Sequence, residues 1–573
     1  MKLTVRRRLA FLAVFALLLS TGLAHAQGVT TGSITGVVLD AQKQAVPGAS
    51  VLAVHEPSGT RYEATTRADG RFSLPGMRVG GPYTVTASLT GFQPQTQKDV
   101  IVGLGVASDL QLILGQAAVT EEVTVTAQTS EVFSSARTGA ATAVSRDILQ
   151  NLPTIRDRIT DYARLTPQYS EGAYQGSFVG QDNRLNNITV DGSYFNNSFG
   201  LAGLPGDRTG VTPISTAAVE EIQINVAPYD VRQGHFVGAG VNMVTRSGAN
   251  QFRGSAYWWF RDNDLVGTEA KGNAYNPGTF DYDRYGGWVS GPILKDKLFF
   301  FGSYENDKFT QPGTTFRANQ GGETVGGNVT RVLASDLDAL SSYLGSNFNY
   351  DTGPYQDYSF EIPAKRYLAK LDYNLNDRNK MSVRYLQLES ESPTLLSNSS
   401  SLGRGTRRSN TTGLNFANSN YAILENIKSV VGEWNSILSS NKANSLIVGY
   451  TTNDESRPQS GDLFPFVDIL SASTVYTSFG FEPFTPNNEL RYKTFQVQDN
   501  FTWNRGNHAF TFGGTVEKYH SDNVFYPGAQ SVYVYNSLAD FYTDANDYLA
   551  NPNRTTSPVT LSLFQVRWNN IPG

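Results

Sequence analysis

RYLAKLDYN, residues 366–374, alternates between apolar and polar side chains. This alternation indicates a β-strand, because successive side chains of a strand point to opposite faces. One face carries Tyr367, Ala369, Leu371 and Tyr373, and the other carries Arg366, Lys370, Asp372 and Asn374, with Leu368 as the exception. A soluble sheet would bury the apolar face in a core, whereas a membrane barrel would turn that face toward lipid. Alternation alone does not separate these two cases.

The lengths of the connections between strands favour the barrel. The pattern predicts strands near 252–260, 282–292, 297–306, 364–375, 380–390, 425–438, 443–453, 491–504 and 508–520. Short connectors at 294–296, 376–379, 439–442 and 505–507 alternate with long ones near 261–281, 307–363, 391–424 and 454–490. Outer-membrane barrels have short periplasmic turns and long extracellular loops. The aromatic clusters 257–260 and 299–301 lie near strand ends, where interfacial girdles are expected.

Composition and motifs exclude several classes of protein. The chain has 573 residues, a net charge of −5 and no cysteine, which excludes disulfides and Cys-ligated metal sites. The absence of a basic block in the mature part argues against nucleic acid as a partner. The five histidines, at positions 25, 55, 235, 508 and 520, are scattered and form no zinc motif. Since no nucleophile, phosphate-binding or zinc-protease motif is present, we expect no enzyme activity, no catalytic residue, no metal and no cofactor.

The N-terminus has the three parts of a secretory signal peptide. Lys2 and Arg6 to Arg8 form a positive region, Leu9 to Leu19 is apolar, and Ala24-His25-Ala26 is an A-x-A cleavage site. We therefore expect residues 1–26, with Ala24 and Ala26 at the cleavage site, to be removed on export.

Residues 32–114 predict a small β-sandwich, because short alternating segments are divided by Pro-Gly and Asp-Gly turns. Alternation is clear at 83–87, where Tyr83, Val85 and Ala87 are expected to point inward. The words G-x-V-x-D, P-G-A-x-V, T-x-x-D-G-x-F-x-L-P and Y-x-V-x-A-x-x-x-G-F resemble the carboxypeptidase regulatory-like domain. That resemblance implies a transthyretin-like, carbohydrate-binding-like fold and does not imply a peptidase.

Residues 115–130 form a linker that contains an alternating, β-branched word. The word consists of Glu121, Glu122, Val123, Thr124, Val125, Thr126 and Ala127. Within the chain this extended segment has no evident pairing partner, and it suits addition to the edge of a partner's sheet. It resembles the TonB box of TonB-dependent receptors, although an ordinary linker strand is the alternative interpretation. The resemblance implies a TonB-type periplasmic energy-coupling protein as a partner.

Residues 131–250 predict a mixed α+β region. Helices are expected from Ser145, as N-cap, to Leu152 and from about Asp157 to Leu165, followed by a strand that an Asp191-Gly192 turn closes. The order of an LP helix, I-T-V-D-G, V-E-E-I-x-I and V-T-R-S-G resembles the plug of TonB-dependent receptors. Residues 227–261 look most like the large Oar-like (OmpA-related) receptors, which carry the same sandwich domain in front.

The expected fold class is mostly β: a transthyretin-like sandwich, an α+β plug and part of a transmembrane antiparallel barrel over residues 251–573. A plugged transporter barrel has about 22 strands. After residue 520 the sequence offers one further strand, Val559 to Trp568, and ends without a terminal aromatic residue. We therefore expect an incomplete barrel in a truncated chain.

The resemblance implies a receptor or transporter in the outer membrane, with the sandwich in the periplasm and lipid, the barrel assembly machinery and an unknown extracellular ligand as further partners. The ligand could be a siderophore, a cobalamin, a glycan, a peptide or a small protein, and the Oar-like relatives favour a peptide or protein. Uptake and export both remain open. The alternative is an adhesion or glycan-binding protein for which the barrel is only an anchor.

Two further groups of charged residues are expected to have no role in ligand or metal binding. Asp281 and Asp283 match no calcium-binding loop and are expected to be solvated loop acids. Arg156, Asp157 and Arg158 are expected to form salt bridges of the plug rather than ligand contacts.

Overall fold

β-Strands dominate the fold and form three connected regions. The computed structural model describes residues 29–116, 124–126, 141–154, 157–170, 176–228, 230–274, 278–485, 488–505 and 508–567. The predicted signal peptide, with Ala24 and Ala26, lies outside the described residues. Among the residues described, no helix is both long enough and apolar enough to cross a membrane.

Two sheets packed face to face form the predicted sandwich. Its strands are β1 (Gly32–Asp40), β2 (Ser50–His55), β3 (Thr60–Thr65), β4 (Arg71–Met77), β5 (Gly80–Ser88), β6 (Phe92–Gln93), β7 (Gln95–Val102) and β8 (Ala107–Gln116). One sheet has the order β4-β1-β8-β6, and the other contains β3-β2-β5-β7. Tyr83, Val85 and Ala87 are fully buried between the sheets, as the alternation predicts.

A ninth strand, β9 (Thr124–Thr126), extends the second sheet of the sandwich. It pairs in parallel with β7, so that the full order is β3-β2-β5-β7-β9. Residues 124–126 of this segment therefore have a pairing partner within the chain, which was not evident from the sequence. The pairing uses the main chain of an edge strand, which a side-chain pattern does not reveal.

Residues 141–248, which we call the plug, are built around a five-stranded sheet of order β10-β15-β16-β13-β14. The strands of the region are β10 (Ala141–Ser145), β11 (Tyr169–Ser170), β12 (Ser177–Phe178), β13 (Asn187–Val190), β14 (Ser193–Tyr194), β15 (Val219–Asn225) and β16 (Gly240–Thr245). Both predicted helices are present, at Arg146–Asn151 and Ile159–Ala163, and short 3₁₀ turns occupy Asn183–Leu185 and Thr216–Ala218. Ser145 is the N-cap residue of the first helix, although its side chain makes no capping hydrogen bond.

Nine long antiparallel strands form a curved sheet around the plug, which we call the wall. They are Arg253–Asp262, Asp281–Leu294, Leu298–Pro312, Ser359–Asn376, Asn379–Thr394, Asn426–Ser439, Lys442–Asp454, Glu489–Arg505 and His508–Val524. All nine predicted strands are confirmed, and they pair in chain order. The first and last lie at opposite ends of the sheet, which is not closed among the described residues. We call the side with the short connectors the turn end and the other side the loop end.

The two faces of the wall are reversed relative to a soluble sheet. Arg366 and Lys370 face the plug and are 3% and 7% exposed, whereas Leu371 on the opposite face is 46% exposed. The outer face also exposes Val383, Tyr385, Val430, Trp434, Tyr450 and Phe495. This arrangement agrees with an apolar belt that contacts lipid. The girdle prediction is wrong for Tyr257, Phe299 and Phe301, because these residues are on the inner face.

The long connectors are not simple loops. Residues 313–358, 395–420, 455–485 and 525–567 share a hydrophobic core, and we call them the loop-end cap. They contain helices Ala334–Phe348 and Leu538–Ala550 and a four-stranded sheet of Thr474–Phe479, Phe466–Ser471, Val532–Tyr535 and Leu563–Gln565. The predicted strand at 559–568 is therefore wrong as a wall strand, because Val559 and Leu561 pack against the core of the cap.

The remaining short elements lie in the connectors. They are strands Glu269–Ala270, Asn273–Ala274, Arg317–Asn319, Val329–Leu333 and Tyr421–Leu424, and 3₁₀ turns Asn263–Leu265 and Ala417–Ser419.

Candidate functional site: the plug and its contacts

Asp191 fixes the plug sheet to the inner face of the wall. It occupies the turn between β13 and β14, where Asp191 and Gly192 both have positive φ, as a tight hairpin requires. Arg384 Nε lies 3.0 Å from its Oδ2, and Lys370 Nζ lies 3.7 Å from its Oδ1. Thr245 also donates to Asp191 from its main-chain N–H and its hydroxyl, at 2.9 and 2.7 Å. Burial opposes ionisation, but Lys370, Arg384 and the Thr245 donors hold the pKa of Asp191 below its usual value.

A second ion-pair cluster joins the plug to the wall nearer the loop end. Within the wall, Arg366 Nη1 lies 3.0 Å from Glu305 and 3.1 Å from Asp307. Ser215 of the plug donates to Glu305 at 2.8 Å, and Asp157 of the plug pairs with Arg284 of the wall at 2.9 Å. Of these contacts, the Asp157–Arg284 ion pair and the Ser215–Glu305 hydrogen bond cross the boundary, so separating the plug from the wall would break both.

The charged triplet 156–158 was expected to form salt bridges of the plug, and one of its residues instead pairs with the wall. Asp157 forms its ion pair with the wall rather than within the plug. Arg158 donates from its side chain to the carbonyl oxygen of Gly210 inside the plug. Arg156 lies outside the described residues.

Two buried glutamates hold the loop-end apex of the plug. Glu425, which lies between two strands, accepts hydrogen bonds from the N–H groups of Gly206 at 2.6 Å and Arg208 at 3.0 Å. Glu455 accepts from Asn197 at 2.7 Å and lies 3.8 Å from the Arg208 guanidinium. Burial, reinforced by the neighbouring Glu455 charge, raises the pKa of Glu425 to about 8.

Sequence reasoning missed this apex site. Glu425 and Glu455 lie at the junctions between long connectors and wall strands. Nothing in their neighbourhood along the chain distinguishes them from solvated loop residues, because their partners in the plug are more than two hundred residues away.

One buried ion pair organises the loop-end cap. Arg407 Nε lies 3.2 Å from Asp468 Oδ1, and both side chains are fully buried. Asp468 also accepts hydrogen bonds from Ser478 Oγ at 2.7 Å and from the N–H of Arg404 at 2.8 Å. The pair links residues 395–420 to the four-stranded sheet, so these segments are joined by polar contacts as well as by the apolar core.

The sandwich is attached to the plug at the turn end. The N–H of Leu104 donates to Glu221 at 3.0 Å, and Gln223 donates back to the carbonyl of Leu104 at 2.5 Å. Arg78 reaches the carbonyl of Gly248 at 2.8 Å. Because Glu221 and Gln223 belong to β15, the sandwich contacts the strand that pairs with β10.

The TonB-box-like word is described in part. Thr124, Val125 and Thr126 form β9, while Glu121, Glu122, Val123 and Ala127 lie outside the described residues. Among the residues described, the next element along the chain is β10, which lies at the edge of the plug sheet and pairs with β15. Residues 124–126 of the word thus form an edge strand of the sandwich among the described residues, and β10, the next described strand along the chain, is an edge strand of the plug sheet.

The described residues contain no group of three or more histidine or acidic side chains placed to hold a metal ion. Asp281 and Asp283 lie in a wall strand rather than in a loop. Asp283 accepts a hydrogen bond from the indole of Trp258 at 3.2 Å.

Comparison with known proteins agrees with this architecture. The carboxypeptidase regulatory-like domain matches residues 33–115, and the outer membrane beta barrel domain matches residues 244–320 and 327–567. The TonB-dependent transporter Oar of Myxococcus xanthus is 24% identical over 394 residues, which are 63% of this chain and 34% of that protein. This chain thus spans about a third of the length of that relative.

Two solved structures resemble parts of the chain. The transporter YddB of Escherichia coli is 13% identical with a TM-score of 0.48, over 69% of this chain and 50% of its own. The siderophore receptor PirA of Pseudomonas aeruginosa is 11% identical with a TM-score of 0.41, over 69% of this chain and 50% of its own. Because the outer membrane beta barrel domain matches more than half of the residues, the chain belongs to that family and is a protein of the outer membrane.

Proposed function

We propose that the chain serves energy-coupled transport across the outer membrane, as the name of its Oar relative suggests. The single observation that carries the proposal is the position of β10. This edge strand of the plug sheet is the first described element after the word 121–127. In the proposal, a TonB-type periplasmic protein binds that word, and the sandwich and the turn end lie in the periplasm.

A pulling force on residues 121–127 would act on the plug at β10. Force applied at 121–127 reaches β10 through residues 127–140 and acts on its pairing with β15. The rest of the plug sheet is held by Asp191 to Arg384 and Lys370 of the wall. Removal of an edge strand breaks the hydrogen bonds to one neighbouring strand. Removal of the whole plug would leave buried charges of the wall without their counterions. We therefore infer that pulling remodels the β10 edge while the Asp191 contacts persist.

We propose that the ligand binds at the loop end, to the cap and the plug apex, and that it is a peptide or an oligosaccharide. The cap exposes Leu463, Phe525, Tyr548 and Phe564. Exposed aromatic and apolar side chains supply contact area for peptide side chains and for the faces of sugar rings. No covalent chemistry is needed for this role.

The test uses two substitutions at one position. Val123→Pro removes a main-chain donor and should abolish binding to the purified C-terminal domain of a TonB-type protein, because strand addition depends on main-chain hydrogen bonds. Val123→Ala keeps the main chain and should retain binding. Undiminished binding by the proline variant would contradict the coupling role and would favour the adhesion alternative.

A further inference from the structure

The edge of the sandwich already holds residues 124–126 of the word that the proposed function assigns to energy coupling. The main chain of β9 lies beside β7 in parallel register, with Thr124, Val125 and Thr126 opposite Thr96, Gln97 and Lys98. β7 is in turn paired with β5 in the interior of the sheet. Residues 124–126 of the word are therefore the last strand of a five-stranded sheet among the described residues.

The sandwich that holds β9 is itself fixed to the plug. Leu104 exchanges hydrogen bonds with Glu221 and Gln223 of β15. Val79 and Leu104 bury apolar surface against Val244 of β16. These contacts place β9 on a platform that is attached to the same plug strands on which a pull would act.

A strand paired along one edge keeps the other edge available. In a parallel ladder, the groups that serve one neighbour alternate along the strand with those that point away from it. Such an outward edge is a template for a further strand from another chain. A strand that is already ordered also loses less conformational entropy when a partner adds to it than a free linker would lose.

We propose that the sandwich is a presentation platform: it orders residues 124–126 as an edge strand, and the periplasmic coupling protein adds its own strand to the outer edge of β9. This inference rests on the proposed coupling function and deepens it, because it names the surface that the partner recognises. The opposite possibility is sequestration, in which the word must leave β7 before a partner can bind.

A disulfide distinguishes presentation from sequestration. The chain contains no cysteine, so an introduced pair has no competitor. Lys98→Cys with Thr126→Cys places two thiols directly opposite in the register, at an exposed position of β7. Opposite residues of paired strands lie within the Cα separation that a disulfide spans. The matched control is Lys98→Cys with Thr124→Cys, which is out of register by two residues.

Three measurements on the full chain decide the matter. First, the in-register pair should oxidise readily and the control pair should not; equal oxidation of both would overturn the pairing. Second, the oxidised in-register chain should bind the purified C-terminal domain of a TonB-type protein within about threefold of its reduced form. A loss of more than tenfold on oxidation, restored by reduction, would overturn presentation and establish sequestration.

The third measurement separates this proposal from the coupling role itself. If Val123→Pro leaves binding unchanged, the coupling function fails whatever the disulfide shows. If Val123→Pro abolishes binding while oxidation also abolishes it, the coupling function stands and the platform alone is contradicted.

Discussion

Arg384 of the wall lies with its Nε 3.0 Å from Oδ2 of Asp191 in the plug, and both side chains are buried. Asp191→Asn should remove the charge that Arg384 and Lys370 share and leave both cations without a counterion. Breaking a buried pair in this way costs about 3–5 kcal/mol. Urea unfolding in detergent should show the loss, and hydrogen exchange should locate it in the plug. Asp182→Asn, which alters an exposed pair with Arg184, should change neither measurement.

Val383 tests the lipid belt because it is 52% exposed on the outer face of the wall. In water, a lysine at such a position would be harmless. In a bilayer, Val383→Lys should cost about 2–4 kcal/mol if the residue lies near the midplane. Folding yield into lipid vesicles should therefore fall. Leu463→Lys is the control, since this cap residue is 73% exposed, and it should fold as the parent chain does.

Glu425 should make the stability of the apex depend on pH. Its pKa is raised from 4.5 to about 8, so between these values the folded chain holds a proton that the unfolded chain has released. Stability should therefore fall as pH rises through this window and level off above about 8. Glu425→Gln removes the titrating group and should reduce the slope by about 1.4 kcal/mol per pH unit. Urea midpoints at several pH values check this prediction, and an unchanged slope would contradict it.

Asp468 should be essential for the loop-end cap. Asp468→Ala leaves the Arg407 guanidinium buried without its counterion, which should destabilise the cap by about 3–5 kcal/mol. Limited proteolysis on the loop end should then cut residues 395–420 at a lower protease concentration. Glu323→Ala, which alters an exposed ion pair with Arg317 in the same cap, should leave the cleavage pattern unchanged.

The strands of the wall could be predicted because each produces a local sequence pattern. The alternation around Leu371 and the short turn near Asp377 lie within a few residues of each other, so both signals are available in one stretch of sequence. The sandwich was accessible for the same reason, through Tyr83, Val85 and Ala87.

The cap and the apex could not be predicted in this way. Phe541 and Leu337 belong to one core although they are far apart in the chain, and Glu425 meets Gly206 across the boundary between the wall and the plug. The pairing of β9 with β7 depends on main-chain groups, which every residue of the linker carries alike. Such contacts are set by the tertiary fold rather than by composition.

The composite core of the loop-end cap has a consequence for biogenesis. Its four segments are separated along the chain by wall strands, and their apolar side chains are buried against one another in a shared core. Leu337 and Phe541 are shielded from water together only when segments on either side of several wall hairpins have come together. A chain in which one of the four segments is misplaced would therefore expose apolar, protease-sensitive side chains at the loop end.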